Sequence, residues 1–120
     1  IYKIVLKVDN FIYKICLINE WINAKEAGIF KGTRKDLTDG YIHFSKKEQL
    51  TSTLVKYFNN QDKLILLKVE TLNLKNLKWE KSPAGEQFPH LYSFLNLYNV
   101  KKTFKIILNN NGTHKLPLNL

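Results

Sequence analysis

Apolar residues fall in short blocks along the whole chain, and most of these blocks have the length of a β-strand. Residues 1–6 (IYKIVL) and 12–17 (IYKICL) form a near repeat that is rich in β-branched and aromatic residues. Asp9 and Asn10 lie between the two copies and can supply a tight turn. We therefore predict a hairpin, with the alternative that residues 1–10 are an extension outside the domain.

Capping signals predict two short helices. Asn19 is a candidate N-cap for a helix over residues 20–27, and Gly28 is its expected stop. Ser45 begins the sequence Ser-Lys-Lys-Glu, which has the spacing of a capping box. A second helix is therefore predicted over residues 46–58, with an apolar stripe on one face.

The remaining segments are predicted to be strands and one loop. Residues 31–40 carry Gly, Thr, Asp and charge, which is typical of a loop. Residues 64–69 are apolar almost throughout, as in a central strand, and 77–80 and 103–108 are also strand-like. Pro89 cannot donate to a ladder, so it should mark an edge or the first residue of a strand. The sequence predicts an α+β fold with mainly antiparallel sheets and two short helices outside.

Composition indicates one compact domain over residues 1–120. The chain is 44% hydrophobic, which is enough to bury a core. No apolar stretch approaches the roughly 20 residues of a membrane span, and no charged-then-apolar leader is evident. Cys16 is the one cysteine, which excludes an intrachain disulfide and fits a reducing compartment. We expect a cytoplasmic protein, and we expect Cys16 to be a buried small hydrophobe rather than a nucleophile.

The net charge of +9 raises the question of a nucleic-acid partner. Arg34 is the single arginine, and the other cations are lysines scattered over the whole chain. Arginine is the residue suited to bidentate recognition of phosphates and bases, whereas dispersed lysines often only solvate a surface. Nucleic acid is therefore not the favoured partner.

The segment DGYIHFS places a histidine in an apolar run. If it is extended, Ile42 and Phe44 face the core, while Tyr41, His43 and Ser45 face the other side. Two interpretations of His43 stay open. It binds a ligand or moves a proton near neutral pH, or it is a partly buried histidine bonded to a backbone carbonyl. Ser45 is explained as a helix cap, although a site there would also benefit from the helix N-terminus.

The segment GEQFPHLY holds a second histidine. Glu86 precedes His90 by four residues, and Pro89 between them argues against a helix. If the chain folds back, the carboxylate can fix the imidazole tautomer or stabilise a developing positive charge. The alternative is an ion pair that orders a loop. Tyr92 follows His90 on the same strand face, where its hydroxyl either reaches the same ligand or only packs.

Charged groups near these segments suggest further candidates. Arg34 and Asp39 lie before the His43 strand, so Arg34 is either a clamp for a phosphate or carboxylate or a solvated loop charge. Glu80 follows a tryptophan at a predicted strand end. No zinc-type ligand spacing is present, so no metal site is predicted. Phosphate-binding glycine loops and a serine elbow are also missing from the sequence.

The ordered blocks of the sequence resemble the domain of unknown function 952 (DUF952) family, which is mainly bacterial. The resemblance covers about residues 12–100 and rests on several rare blocks in order: IYKI at 12–15, EW at 20–21, DGYIHFS at 39–45, LKWE at 77–80, GE at 85–86 and FPHLY at 88–92. Ser93 stands where the family usually has glycine, and residues 1–10 are extra.

That family is grouped by fold with the ADP-ribosyltransferase-like proteins. The resemblance therefore implies two small antiparallel sheets with a cleft between them, which binds NAD in the active transferases. It implies that His43 and Ser45 lie where the transferases hold the nicotinamide ribose, and it makes Glu86 the first candidate and Glu80 the second for the acidic role. The complete histidine–tyrosine–glutamate signature of the transferases is not legible in the chain. Kinship of fold alone does not confer the activity.

Two functions from different classes follow from these observations. The first is a polar cleft that binds a nucleotide-type or phosphorylated ligand, with NAD as candidate cofactor and ADP-ribosyl transfer as candidate reaction. The expected site comprises His43, Ser45, Glu86, His90 and Tyr92, with Arg34, Asp39, Tyr41 and Glu80 as further ligand-binding candidates. The second is a non-catalytic module that recognises a small molecule, RNA or an acidic protein.

Overall fold

A computed structural model describes residues 10–120 of the chain. The strands of this part are β1 (Phe11–Leu17), β2 (Ile29–Phe30), β3 (Ile42–His43), β4 (Leu64–Glu70), β5 (Leu77–Lys81), β6 (Gln87–Leu91), β7 (Leu95–Asn96), β8 (Val100–Leu108) and β9 (His114–Lys115). The α-helices are α1 (Ile18–Ala27), α2 (Arg34–Asp39) and α3 (Leu50–Tyr57). The first strand of the predicted N-terminal hairpin lies outside the described residues.

All strand pairs in the described part are antiparallel, and they form three sheets. The largest has the order β1-β4-β8-β9, the second β3-β6-β5, and the smallest pairs β2 with β7. Reciprocal backbone hydrogen bonds of 2.9 and 2.8 Å between Tyr13 and Ser45 join the two larger sheets. The predicted α+β class with mainly antiparallel sheets is confirmed.

The space between the two larger sheets is filled by the main hydrophobic core. Strand β4 lies between β1 and β8 in the sheet, and residues on both of its faces are buried, as its apolar sequence predicts. One face packs with residues of β3 and β6 in a cluster that includes Ile12, Cys16, Ile42, Phe44, Leu67, Val69 and Leu91. The other face packs against α3. The predicted cleft between the sheets is therefore occupied by side chains, and the histidines lie elsewhere.

Helix α1 begins two residues earlier than predicted. Glu20 Oε1 accepts a hydrogen bond of 2.8 Å from the backbone N–H of Leu17, so a side chain within the first turn caps the helix and Asn19 is not the cap. Gly28 ends the helix with φ +78°, as predicted. No helix within residues 10–120 is long and apolar enough to cross a membrane.

The prediction of a loop over residues 31–40 is wrong, because α2 occupies most of it. Thr33 Oγ1 accepts from the Asp36 N–H at 3.2 Å, and Asp36 Oδ2 accepts from the Thr33 N–H at 2.8 Å. This reciprocal capping satisfies two free N–H groups of the first turn. Gly40 then ends the helix with φ +87°.

The predicted Ser45 capping box is also wrong. The Ser45 hydroxyl lies 3.1 Å from Thr53 Oγ1, within α3, and does not cap the helix start. A 3₁₀ turn over Lys47–Gln49 precedes α3, and Gln49 Oε1 accepts a 2.9 Å hydrogen bond from the Lys46 N–H. The buried Gln49 therefore performs the capping that the sequence spacing assigned to Glu48.

Pro89 lies inside β6, the central strand of its sheet, so the prediction of an edge or a first residue is wrong. Its carbonyl accepts a 3.0 Å hydrogen bond from the Phe44 N–H, on the side of β3. The N–H and C=O groups of one strand residue point to the same neighbour, so the missing donor also faces β3. Pro89 therefore cannot donate the reciprocal bond toward the Phe44 carbonyl, and the regular pairing of β3 ends one residue earlier, at His43.

Candidate functional site

The two histidine segments meet on the three-stranded sheet. Ile42 pairs with Leu91 and both are buried in the core, while His43 pairs directly with His90 on the opposite face. The imidazole side chains keep 26% and 14% of their surface exposed, respectively. This period-two alternation is the one that the sequence predicts, and it brings both imidazoles to one partly open surface.

Four rings form a cluster on this surface. The Tyr41 ring centroid lies 4.6 Å from that of His43, 4.3 Å from that of His90 and 5.1 Å from that of Tyr92. The two imidazole centroids are 5.4 Å apart in an edge-on arrangement. These separations are those of favourable aromatic contacts. We call Tyr41, His43, His90 and Tyr92 the ring cluster.

A buried ion pair supports the His43 end of the ring cluster. Lys14 Nζ lies 2.9 and 2.7 Å from the two carboxylate oxygens of Asp36 and donates to the His43 carbonyl at 2.8 Å. Asp36 Oδ1 lies 2.7 Å from His43 Nδ1 and accepts from the His43 N–H at 3.1 Å. The imidazole therefore has a fixed orientation, with its Nδ1 on the carboxylate and its Nε2 directed outward.

The charges of this ion pair are set by competing effects. Burial on its own raises the pKa of Asp36, but the hydrogen bond with His43, the charge and hydrogen bond of Lys14 and the Thr33 N–H together hold that pKa well below its usual range. Burial lowers the pKa of Lys14, and the neighbouring Asp36 opposes this shift. Asp36 is consequently a carboxylate throughout the physiological range.

The depressed pKa of Asp36 predicts a loss of stability in acid. Below about pH 4 the unfolded carboxyl takes up a proton while the native one does not, so stability falls as the pH falls. Urea unfolding between about pH 2 and pH 6 should show a shallower pH dependence for Asp36→Asn than for the wild type. Equal slopes for the two proteins would contradict this role of Asp36.

A second carboxylate holds the other imidazole. Glu80 Oε1 lies 2.8 Å from His90 Nδ1 and accepts a 2.6 Å hydrogen bond from the Tyr92 hydroxyl. The hydrogen bonds from Tyr92 and His90 lower the pKa of Glu80, and the bond to Glu80 raises the pKa of Tyr92 to about 12. Glu80, the second choice of the sequence analysis, is therefore the carboxylate beside His90.

Glu86 lies away from the ring cluster, so the predicted approach of Glu86 to His90 does not occur. Four residues along a strand span about 13 Å. Glu86 Oε1 instead accepts a 3.0 Å hydrogen bond from Gln49 Nε2, which also donates to the Gln87 carbonyl at 2.8 Å. The exposed Glu86 thus contacts the buried side chain that caps the start of the turn before α3.

Of the other predicted site residues, some lie at the ring cluster and some lie away from it. Asp39 joins the site, because its Oδ2 lies 3.1 Å from His43 Nε2. Ser45 is buried against Thr53 rather than exposed beside His43. Arg34 is exposed at the start of α2, where its backbone N–H lies 3.3 Å from Glu20 Oε2.

Lys14 and Asp36 are the supporting residues that the sequence analysis missed as site residues. The signal for Lys14 is a single charge within the apolar run 12–17, since a buried charge requires a partner.

Cys16 is buried, as predicted, and burial raises its pKa to about 12, so its thiol is unreactive. Within residues 10–120, no group of three or more His, Cys, Asp or Glu side chains is placed to hold a metal ion.

An open concavity of about 400 Å³ adjoins the ring cluster. Tyr41, Tyr92 and Phe94 line it together with Lys31, whose Nζ lies 5.7 Å from the Phe94 ring centroid. A larger concavity of about 530 Å³ is lined mainly by residues 62–64 and 105–110, and neither concavity is lined by a histidine. The smaller concavity is the one connected to the ring cluster, through Tyr41 and Tyr92.

The fold and the site define an antiparallel α+β domain with two carboxylate-held histidines on one sheet face. The sequence pattern of a family described as "Protein of unknown function (DUF952)" matches residues 15–103, and the chain belongs to this family. The resemblance to DUF952 that the sequence blocks indicated is thereby confirmed.

Solved structures of one bacterial protein share this fold. The crystal structure of protein CC0527 from Caulobacter crescentus is 42% identical over 88% of this chain and 93% of that chain, with a TM-score of 0.83. The solution NMR structure of CC0527 gives a TM-score of 0.77 and covers 91% of that chain. A comparison with curated proteins found no match.

Proposed function

We propose that the ring cluster binds a nucleotide-type ligand, with NAD as the candidate, in a domain of the ADP-ribosyltransferase-like fold. One observation carries the proposal: two imidazoles, each held at Nδ1 by a carboxylate, contact the same Tyr41 ring beside an open concavity. The fold assignment rests on the resemblance of the sequence blocks, and what the described structure shares with that fold is its antiparallel sheets.

The concavity suits a planar base attached to an anionic group. Its volume of about 400 Å³ lies in the range of small-molecule sites. Tyr92 and Phe94 are 41% and 55% exposed, so their rings are available for stacking on a base. Lys31 adds a cation at the same wall, which suits a phosphate. The two exposed rings and the lysine therefore suit the base and a phosphate of a nucleotide.

The proposed reaction is ADP-ribosyl transfer. Bound NAD would supply the ADP-ribosyl group, as the bond between C1′ of the ribose and the nicotinamide nitrogen breaks, nicotinamide leaves, and an acceptor hydroxyl bonds C1′ and releases its proton. Glu80 stabilises the positive charge that develops on the ribose, and it takes the acidic role in place of Glu86. His43 orients the bound nucleotide through its Nε2, and Asp36 holds the imidazole in position for this.

Isothermal titration with NAD tests the binding. We expect His43→Ala and His90→Ala each to weaken NAD binding by at least about tenfold, because each removes a ring from the cluster. His114→Ala is the matched control, since His114 Nε2 contacts the Gln61 carbonyl and not the ring cluster, and it should bind NAD as the wild type does.

Two outcomes of the titration contradict the proposal. Binding that persists unchanged in both variants places the ligand elsewhere. A wild-type protein that binds no NAD but retains RNA in a salt-sensitive manner supports the non-catalytic alternative, in which the basic surface recognises RNA.

A further inference from the structure

The Asp39 carboxylate contacts the His43 imidazole at the edge of the ring cluster. Its Oδ2 lies 3.1 Å from His43 Nε2 and 3.0 Å from Lys35 Nζ, so one oxygen lies between an imidazole and an ammonium group. The side chains of Asp39 and Lys35 are 31% and 56% exposed. Oxygens of a phosphate bind the same kinds of donor at the same distances.

The His43 imidazole is held in place independently of Asp39, and because its Nδ1–H donates to the Asp36 carboxylate, its Nε2 donates to an anion only as the imidazolium. The opposite nitrogen, His43 Nδ1, lies 2.7 Å from the buried Asp36, which also accepts from the His43 backbone N–H. Lys14 in turn holds Asp36 from the core side. If the Asp39 carboxylate moves away, Nε2 keeps its direction, and a binding group that needs no reordering favours the incoming ligand.

The contact also adjoins the concavity. Gly40, the residue after Asp39, lines the concavity together with Asp36 and Tyr41. Lys35, Asp39 and His43 do not line the concavity themselves, so a ligand held there extends past Gly40 or Tyr41 to place an anionic group between His43 and Lys35. The exposed Asp39 side chain has solvent beside it, so it can leave the contact without displacing core residues.

We propose that the Asp39 carboxylate occupies the subsite of a ligand phosphate, between His43 Nε2 and Lys35 Nζ. The identification of that phosphate as part of a nucleotide rests on the proposed function. The Asp39 carboxylate then competes with a ligand phosphate for His43 Nε2 and Lys35 Nζ. The free protein therefore binds phosphate compounds more weakly than it would without this carboxylate.

The test is the affinity for inorganic pyrophosphate, measured by calorimetry at about 0.15 M salt. Asp39→Asn keeps the size of the side chain and removes its charge, and we expect it to bind pyrophosphate at least about tenfold more tightly than the wild type. Asp62→Asn makes the same change of net charge at an exposed site in the other concavity, and it should leave the affinity within about twofold.

A second variant tests the cationic partner. Adding Lys35→Gln to Asp39→Asn should abolish the gain, because the ammonium donor of the subsite is removed. An equal gain in Asp39→Asn and Asp62→Asn, or a gain that persists without Lys35, overturns the subsite. Circular dichroism of each variant confirms that it is folded.

The outcomes separate this inference from the proposed function. Tighter pyrophosphate binding by Asp39→Asn in a protein that binds no NAD supports the phosphate subsite and contradicts the proposed ligand. NAD binding that depends on both histidines, with pyrophosphate affinity unaffected by Asp39→Asn, supports the proposed function and overturns the subsite.

Discussion

Replacing Lys14 with methionine is expected to lower the free energy of unfolding by about 3–5 kcal/mol. The Lys14 side chain is 5% exposed, and its Nζ contacts both oxygens of the buried Asp36. Methionine fills a similar apolar volume but leaves the Asp36 carboxylate without its cation inside the protein. Breaking a buried pair by removing one partner is among the most destabilising of single changes.

Urea unfolding at about pH 7 measures this effect. Lys105→Met is the matched control, because Lys105 is an exposed lysine of β8, and its replacement should change the free energy of unfolding by no more than about 0.5 kcal/mol. The double variant Lys14→Met with Asp36→Asn removes both charges, keeps an acceptor oxygen beside the Thr33 and His43 N–H groups, and should recover part of the loss. A loss of less than about 1 kcal/mol for Lys14→Met would show that the pair is not a structural support.

Under the proposed ADP-ribosyl transfer, replacing Glu80 with glutamine is expected to lower the release of nicotinamide from NAD by at least about a hundredfold. Glutamine keeps an oxygen that can accept from the Tyr92 hydroxyl, but it carries no charge to stabilise the positive ribose of the transition state. The effect should appear in the rate of turnover more than in the affinity for NAD.

Glu86→Gln is the control for this substitution, since Glu86 contacts Gln49 and lies away from the ring cluster. Nicotinamide release by Glu86→Gln should stay within about threefold of the wild type. Full release by a folded Glu80→Gln protein contradicts the acidic role of Glu80. Loss of nicotinamide release in Glu86→Gln alone would show that Glu86, the first candidate from the sequence, takes the acidic role.

The longer strands were predictable because their signals are local, whereas the two-residue strands β2, β7 and β9 were not predicted. The apolar run of β4 and the alternation around His43 depend only on neighbouring residues; the first is confirmed, and the second is confirmed except at Ser45, which is buried. Helix α2 was missed because its six residues carry no apolar stripe, although Thr33 and Asp36 have capping spacing. The position of Pro89 was missed because it depends on where the partner strand β3 ends, which the sequence around Pro89 does not contain.

The meeting of the two histidine segments was also predictable, since both combine a histidine with an apolar strand pattern. The sequence could not decide whether Glu80 or Glu86 lies beside His90, because the answer depends on the register of β5 against β6. Lys78 pairs with His90, so Glu80 lies diagonally across from that imidazole on the same face. The Lys14–Asp36 pair joins residues that are 22 positions apart, and no periodicity connects them.

The most direct test of the central claim, that His43 and His90 form one nucleotide site, is an NMR titration that follows the imidazole resonances of all three histidines with NAD. The account predicts that the signals of His43 and His90 shift together along one saturation curve while His114 does not respond. Saturating NAD that leaves both signals in place, or that shifts His114 and residues 105–110 instead, would contradict it.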